Sequence, residues 1–310
     1  MLPCSFGPIV VRSAHLGDLP EIGRLMAPLV ARGELLERSE GEMWSLLPQS
    51  FLAEVDGRAV GFAALEVYSQ KMSEIQCLSY EESAPAPDVI AALLHVCLGQ
   101  AREHHILEVM AVVPPHLEAT LTRCGFYVIL PGQKTAMFLR TGCGSTVAGA
   151  EQRVAGAERS GAPAGNWGTA PLCPDSHPVV IRPADLSDAA DVARFLAPFV
   201  ARGELLPRTA EELLTLLRHG FVAEAQGRIV GFTALEIYSD KLAEVQCVSV
   251  DEAFRGHGIG RRLVTLCVDR ARQFQIAETL AISAREEVLR SCGFNHILPG
   301  AKVALFVRNG

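Results

Sequence analysis

The sequence predicts an α+β fold written twice, as two tandem domains that each carry a mixed central sheet flanked by helices. Three observations lead there: an internal repeat, the order of strands and helices within one copy, and a glycine-rich segment between a strand and a helix in the second copy. The repeat comes first because it fixes the organisation. Ala27–Leu36, APLVARGELL, returns as Ala197–Leu206, APFVARGELL. The match holds at a constant offset of 170 from Pro8 to Arg102 without a gap, and at 168 after a two-residue length change, where RCGF (123–126) answers SCGF (291–294). The domains expected are 8–140 and 178–310. Residues 141–177 between them are rich in Gly, Ala, Ser and Pro and read as a flexible linker, with a short helix conceivable over Ala150–Arg159.

Each element of the second copy has a signal. VVIRPA (179–184) is a short apolar strand, and Ser187 and Asp188 then stand as an N-cap. Val192, Phe195, Leu196, Phe199 and Val200 follow at helical spacing, and Gly203 stops that helix. A second short helix covers about 209–218. GFVAEAQ and IVGFTALEIY form a hairpin turned at Gln226-Gly227, and LAEVQCVSV (242–250) is a further strand. After the glycine-rich loop come a long helix to about Gln273, the strand ETLAIS, the helix REEVLRSC and two closing strands, FNHIL and KVALFVR.

Composition narrows the function classes. The 310 residues are 49% hydrophobic and 20% charged, so each copy can bury a core. A net charge of −7 without a dense basic run argues against nucleic acid or an anionic membrane as partner. No apolar run reaches membrane-spanning length, and the start lacks the pattern of a secretory leader, so a cytoplasmic protein is expected. The nine cysteines include no Cys-x-x-Cys pair, and six recur at equivalent places in the copies. They read as reduced core residues, and no metal site is expected.

The loop Arg255-Gly256-His257-Gly258-Ile259-Gly260 carries the sharpest chemical signal. Its glycines let backbone approach a bulky anion, and the following helix offers N–H groups and a favourable dipole. Arg255, Arg261 and Arg262 bring cations to the same end, which suits a pyrophosphate. The nicotinamide-type loop is disfavoured, because no acidic residue ends a following strand, and a phosphate-loop Gly-Lys-Ser/Thr ending is absent.

VSVDEAFRGHGIGRRLV resembles the acetyl-CoA loop of the GNAT superfamily, and the likeness extends over both copies, including the late Gly293-Phe294. The resemblance implies that acetyl-CoA, as donor substrate, lies where the fourth and fifth strands of the second copy part. Its pantetheine would meet backbone at Cys247, Val248 and Val250, and its pyrophosphate the stretch Arg255, Gly256, His257, Gly258, Ile259, Gly260 and Arg261. LAPFVARGELLPRT with AEVQCVSV is closer still to the acetyltransferase domain of N-acetylglutamate synthases. That likeness implies an N-acetyltransferase acting on a small amine, glutamate or a related amino acid foremost, by direct transfer in a ternary complex. Glu244 is the expected base, with Arg208, Lys241 and Tyr238 on the substrate side and backbone near Val248 as the oxyanion donor. Cys247 is a nucleophile on paper only, since its twin Cys77 lies beside a broken loop. The superfamily's usual tyrosine acid falls at Leu289 here, leaving Ser249, Ser283 or water in its place. His257 reads as incidental, and His104, His105 and His219 as surface residues. The rival readings are acetylation of a protein amine, polyamine or aminoglycoside, and a sensing module without turnover.

In the first copy Pro85, Ala86, Pro87, Asp88 and Ile90 replace Arg255, Gly256, His257, Gly258 and Gly260, while Ala91 and Ala92 replace the two arginines. Prolines have no N–H to give, and Asp88 repels phosphate, so this copy is expected not to bind acetyl-CoA in the usual way. Arg38, Tyr68, Lys71 and Glu74 nevertheless match Arg208, Tyr238, Lys241 and Glu244. Shared packing is the favoured explanation, and a regulatory amino-acid pocket the sharper alternative. The first copy is expected to serve as an intramolecular partner, a pseudo-dimer within one chain.

Overall fold

A computed structural model describes residues 7–128, 135–140, 178–283, 286–296 and 303–308. The expected linker, including the helix over 150–159, lies outside the described residues, as do Ile297 and Leu298 of the expected strand FNHIL. The chain divides into two compact units, Met1–Phe138 with Ile282–Glu286 and Phe294–Gly310, and Leu139–Ala281 with Glu287–Gly293.

The first unit runs β1 (Ile9–Ser13), α1 (Leu19–Ala31), α2 (Glu40–Leu46), β2 (Ser50–Val55), β3 (Arg58–Val67), β4 (Met72–Tyr80), α3 (Ala86–Glu103), β5 (Glu108–Val113), α4 (Glu118–Arg123) and β6 (Thr135–Arg140). Strands β1 to β5 are neighbours in that order, antiparallel except for the parallel β4–β5 pair. A tight crossover helix, α3, is what lets two consecutive strands run parallel.

The second set of elements repeats the plan: β7 (Val180–Pro183), α5 (Ala189–Ala201), α6 (Ala210–Leu217), β8 (Gly220–Ala225), β9 (Arg228–Ile237), β10 (Leu242–Val250), α7 (Ile259–Gln273), β11 (Glu278–Ser283), α8 (Glu286–Ser291) and β12 (Val303–Arg308). Strands β7 to β10 pair antiparallel in order, and β10 pairs parallel with β11. Both units are thus α+β with mixed sheets. Strand β12 belongs to the first unit, where it pairs antiparallel with β5 from Val303↔Val113 to Arg308↔Glu108. There Arg308 Nε donates to Glu108 Oε1 at 2.7 Å.

Alternation along β9 sorts the helices onto two faces. Phe232 packs with Val192, Leu196, Leu213, Leu216 and Cys247, the face covered by α5 and α6. Gly231 points the other way, and a Cβ there would come within 3.2 Å of Leu263 and 3.4 Å of Ile259 on α7. The bare backbone at Gly231 is what seats the start of α7 against the sheet. Stripes of buried Val192, Leu196 and Phe199 on α5, and of Ile259, Leu263, Val264, Cys267, Val268 and Ala271 on α7, supply the apolar faces that hold these helices.

Asp188 stands at the N-cap position of α5, as expected, but its side chain makes no cap bond and instead holds Arg182 in a two-pronged ion pair at 2.7 and 2.9 Å. Ser187 lies in the single turn Leu186–Asp188 ahead of the helix, where Asp185 takes its N–H at 2.8 Å. Gly203, with φ of 68°, closes the helix as expected. Gln226 and Gly227 both take positive φ, 54° and 70°, which matches the right-handed strand twist in a two-residue hairpin.

Candidate active site

Strand β10 holds the centre of the site, and a bulge shapes it. Its register with β9 slips between Gln246↔Ala234 and Ser249↔Phe232, so Cys247 and Val248 together oppose one residue. Cys247 takes the left-handed conformation, φ 57°, that a residue with a side chain seldom adopts. Thr233 Oγ1 donates to the Gln246 carbonyl at 3.1 Å and steadies the kink. On the other edge, β10 pairs with β11 only from Leu242↔Glu278 to Val245↔Ala281. Among the described residues no β11 partner is paired from Gln246 onward, so the two strands part and the Gln246–Val250 edge has no ladder partner on that side. An unpaired strand edge is a strong hydrogen-bonding surface.

A polar cluster sits where the strands part. Glu236 and Glu244 are direct cross-strand partners on β9 and β10. Tyr238 donates its hydroxyl proton to Glu244 Oε2 at 2.6 Å. The Gln246 amide nitrogen stands 2.5 Å from Glu236 Oε2, 2.9 Å from Glu244 Oε2 and 3.2 Å from the Tyr238 oxygen. Arg208 Nη2 donates to Gln246 Oε1 at 2.6 Å, and the Arg208 Nε has no hydrogen-bond partner among the described residues. Glu236, Tyr238 and Gln246 are buried and Glu244 half-buried. Burial pushes the Glu244 carboxyl above the usual carboxylate range, with the neighbouring Glu236 charge adding to it against the pull of the Tyr238 and Gln246 bonds. The structure therefore brings together three residues singled out in the sequence, Arg208, Tyr238 and Glu244. Lys241 is exposed in the β9–β10 connection.

Glu236 and Gln246 escaped the sequence reading. Their signal was period-two polarity inside otherwise apolar strands, Glu236 with Tyr238 and Glu244 with Gln246, on two strands joined by a short connection.

The loop before α7 is built for close backbone approach. Asp251 caps the preceding turn through the Ala253 N–H at 3.0 Å. Arg255 Nε donates to the Val250 carbonyl at 3.1 Å, which pins the guanidinium beside the end of β10. Gly256 and Gly258 have φ of 84° and 76°, and a Cβ on either would meet nothing within 4 Å. Their absence of side chains is thus a matter of backbone conformation and of open space above the loop. Gly258 is the N-cap of α7 and supplies no side-chain cap, so the first-turn N–H groups face outward without one. Ile259 is buried and can offer only its backbone, whereas Arg261 is exposed. The arrangement fits a pyrophosphate: outward N–H groups, a helix dipole and flanking arginines.

The remaining predicted residues fall in less active settings. Burial pushes the Cys247 thiol up to about 11, so it is not a ready thiolate near neutral pH. Ser249 is buried, and its hydroxyl oxygen has no partner among the described residues. Leu289 is buried in α8. His104 and His105 are exposed, but His219 is not a plain surface residue: it is half-buried, edge-on to Phe274 with centroids 5.3 Å apart, and burial lowers its pKa. No group of residues suited to a metal ion occurs among the described residues, and no described helix is long and apolar enough to cross a membrane.

Comparison with known proteins identifies the family. The acetyltransferase (GNAT) family model matches residues 193–295. An uncharacterised N-acetyltransferase of Chlorobaculum tepidum is 30% identical over 117 residues, 38% of this chain and 76% of the relative. An amino-acid acetyltransferase of Mycobacterium tuberculosis is 30% identical over 126 residues, 40% of this chain and 71% of the relative. Among solved structures, N-acetylglutamate synthase from Neisseria gonorrhoeae, complexed with coenzyme A and N-acetyl-glutamate, is 30% identical with a TM-score of 0.37, over 39% of this chain and 29% of that one. The chain belongs to the GNAT family of N-acetyltransferases, whose acetyl donor is acetyl-CoA.

Proposed function

We propose that the second copy acetylates the α-amino group of a free amino acid, glutamate or a close relative, by direct transfer within a ternary complex. The observation that carries this reading is the Arg208–Gln246–Glu244–Tyr238 cluster at the point where β10 leaves β11. The relatives described as amino-acid acetyltransferases support the acceptor class.

The roles follow from the chemistry of the groups. An ammonium must lose a proton before its nitrogen can attack a thioester carbonyl. Glu244 accepts that proton, its raised pKa making it a stronger base than an exposed carboxylate. Arg208 holds the acceptor's carboxylate, with the Nε–H available for a second contact in a fork. Backbone N–H at Val248, freed by the bulge, meets the thioester oxygen as it gains charge. The pyrophosphate rests on Gly256–Gly260 with Arg255 and Arg261 beside it. Attack forms the C–N bond and collapse of the adduct breaks the C–S bond; the proton the nitrogen sheds on becoming an amide passes through water to the sulfur, so coenzyme A leaves as thiol. The raised Cys247 pKa speaks against an acyl-enzyme.

Thiol release from acetyl-CoA across a panel of amino acids and amines tests the reading. Release stimulated by glutamate is expected; release only with polyamines or aminoglycosides would remove the acceptor assignment.

A further inference from the structure

The two copies have diverged unevenly, and the pattern is informative. Between Pro8 and Ala84 about half the positions differ from their counterparts. Across the eight positions of the cofactor loop, Pro85–Ala92 against Arg255–Arg262, none is the same. Across the acceptor cluster all are the same: Arg38, Glu66, Tyr68, Glu74 and Gln76 answer Arg208, Glu236, Tyr238, Glu244 and Gln246.

These residues form a hydrogen-bonded cluster in the first unit as well. In the first unit Arg38 Nη2 donates to Gln76 Oε1 at 2.7 Å, and Tyr68 donates to Glu74 Oε2 at 2.7 Å. The Tyr68 hydroxyl lies 3.4 Å from Glu66 Oε2, and Gln76 Nε2 lies 3.4 Å from the Tyr68 oxygen. Glu66 and Glu74 are cross-strand partners, like Glu236 and Glu244. The bulge recurs, with Cys77 at φ 56°, and β4 pairs with β5 only from Met72↔Glu108 to Ile75↔Ala111. Most telling is Arg38 Nε, a buried donor without a partner among the described residues, as is Arg208 Nε. A buried guanidinium donor left unbonded twice, at the same place in two copies, points to a ligand atom that completes it.

Facing carboxylates with an arginine are a costly way to fill a protein interior, since apolar residues of like volume serve stability as well or better. The loop of this copy has meanwhile lost what a pyrophosphate needs. Pro85 caps α3, Pro87 sits in its first turn, and the Asp88 N–H is taken by the Pro85 carbonyl at 2.9 Å.

We propose that the first unit is an amino-acid binding site without transferase activity. Its ligand is a free α-amino acid of the class the second copy acetylates, with its carboxylate on Arg38 and its ammonium between Glu66 and Glu74. The choice of ligand class rests on the acceptor reading above; the existence of the site rests on the retained cluster. Binding in this unit requires no coenzyme A, which makes it a place where the concentration of an amino acid can be read.

Equilibrium dialysis of the full-length protein against each of the twenty labelled L-amino acids, without acetyl-CoA, tests this. The unaltered chain is expected to take up two equivalents of at least one amino acid, and Arg208→Gln and Arg38→Gln one each, with affinity at the substituted site lost at least tenfold. Uptake of a single equivalent by the unaltered chain, undisturbed by Arg38→Gln or Glu66→Gln, would overturn the proposal whatever the fold of the variants. An amino acid that is acetylated but not bound by Arg208→Gln also overturns it and leaves the acceptor reading intact. One equivalent bound by Arg208→Gln in a protein that acetylates no amino acid supports the site and removes that reading.

Discussion

Glu236 and Glu244 face each other across the β9–β10 ladder, and one amide, that of Gln246, bonds both carboxylates at 2.5 and 2.9 Å. Two like charges opposite one another on a sheet repel. The shared amide, the Tyr238 hydroxyl and Arg208 hold the pair in place, and the residual repulsion adds to burial in raising the Glu244 pKa.

That relationship sets a pH dependence. As the proposed base, Glu244 must be ionised, so kcat/KM is expected to rise with pH through the Glu244 pKa, above the usual carboxylate range. Glu236→Gln removes a neighbouring negative charge and is expected to move this acidic limb to lower pH. A pH–rate profile of the two proteins checks it; an unmoved limb contradicts the coupling.

Gly258→Asp puts a carboxylate at the start of α7 and a side chain where φ is 76°. Acetyl-CoA KM is expected to rise at least about tenfold, in line with losing a charge-assisted contact of about 1.5–3 kcal/mol. The amino-acid KM should stay within a few fold. Initial rates with each substrate varied in turn separate the two.

Cys247→Ala should retain kcat within about fivefold, since a thiol held up near 11 contributes no thiolate. Loss of about a hundredfold or more, beyond what a fold change explains by circular dichroism, would instead mark an acyl-enzyme.

A stability prediction concerns the first unit. Arg12 grips Asp18 through two bonds of 2.8 Å, and that hydrogen bonding holds the Asp18 pKa at about 2, below its value of 3.8 when free. A depressed folded pKa contributes stability that is present above the unfolded value and lost as pH falls through the folded one. Asp18→Asn is therefore expected to lower the melting temperature at pH 7, by an amount equivalent to about 1–3 kcal/mol, and to cost progressively less between pH 4 and pH 2. Thermal melts at several pH values read this out.

Much of this was legible in the sequence. The duplication, the strand and helix order and the loop glycines follow from periodicity and from the demands of positive φ, as Gly203, Gly256 and Gly258 illustrate. Three features were not. The Cys247 bulge was hidden because cysteine carries no preference for left-handed backbone. Glu236 and Gln246 were hidden because alternation places residues on a face without saying which polar groups converge there. The pairing of β12 with β5 was hidden because the apolar pattern of Val303–Arg308 marks a strand but not its partner.

The measurement closest to the central claim is thiol release from acetyl-CoA with glutamate as acceptor, comparing the unaltered protein with Glu244→Gln. The account predicts glutamate-dependent release and a fall in kcat of about 10²–10⁴-fold in the variant, with acetyl-CoA KM little changed. Equal rates in the two proteins, or no release with any amino acid, would contradict it.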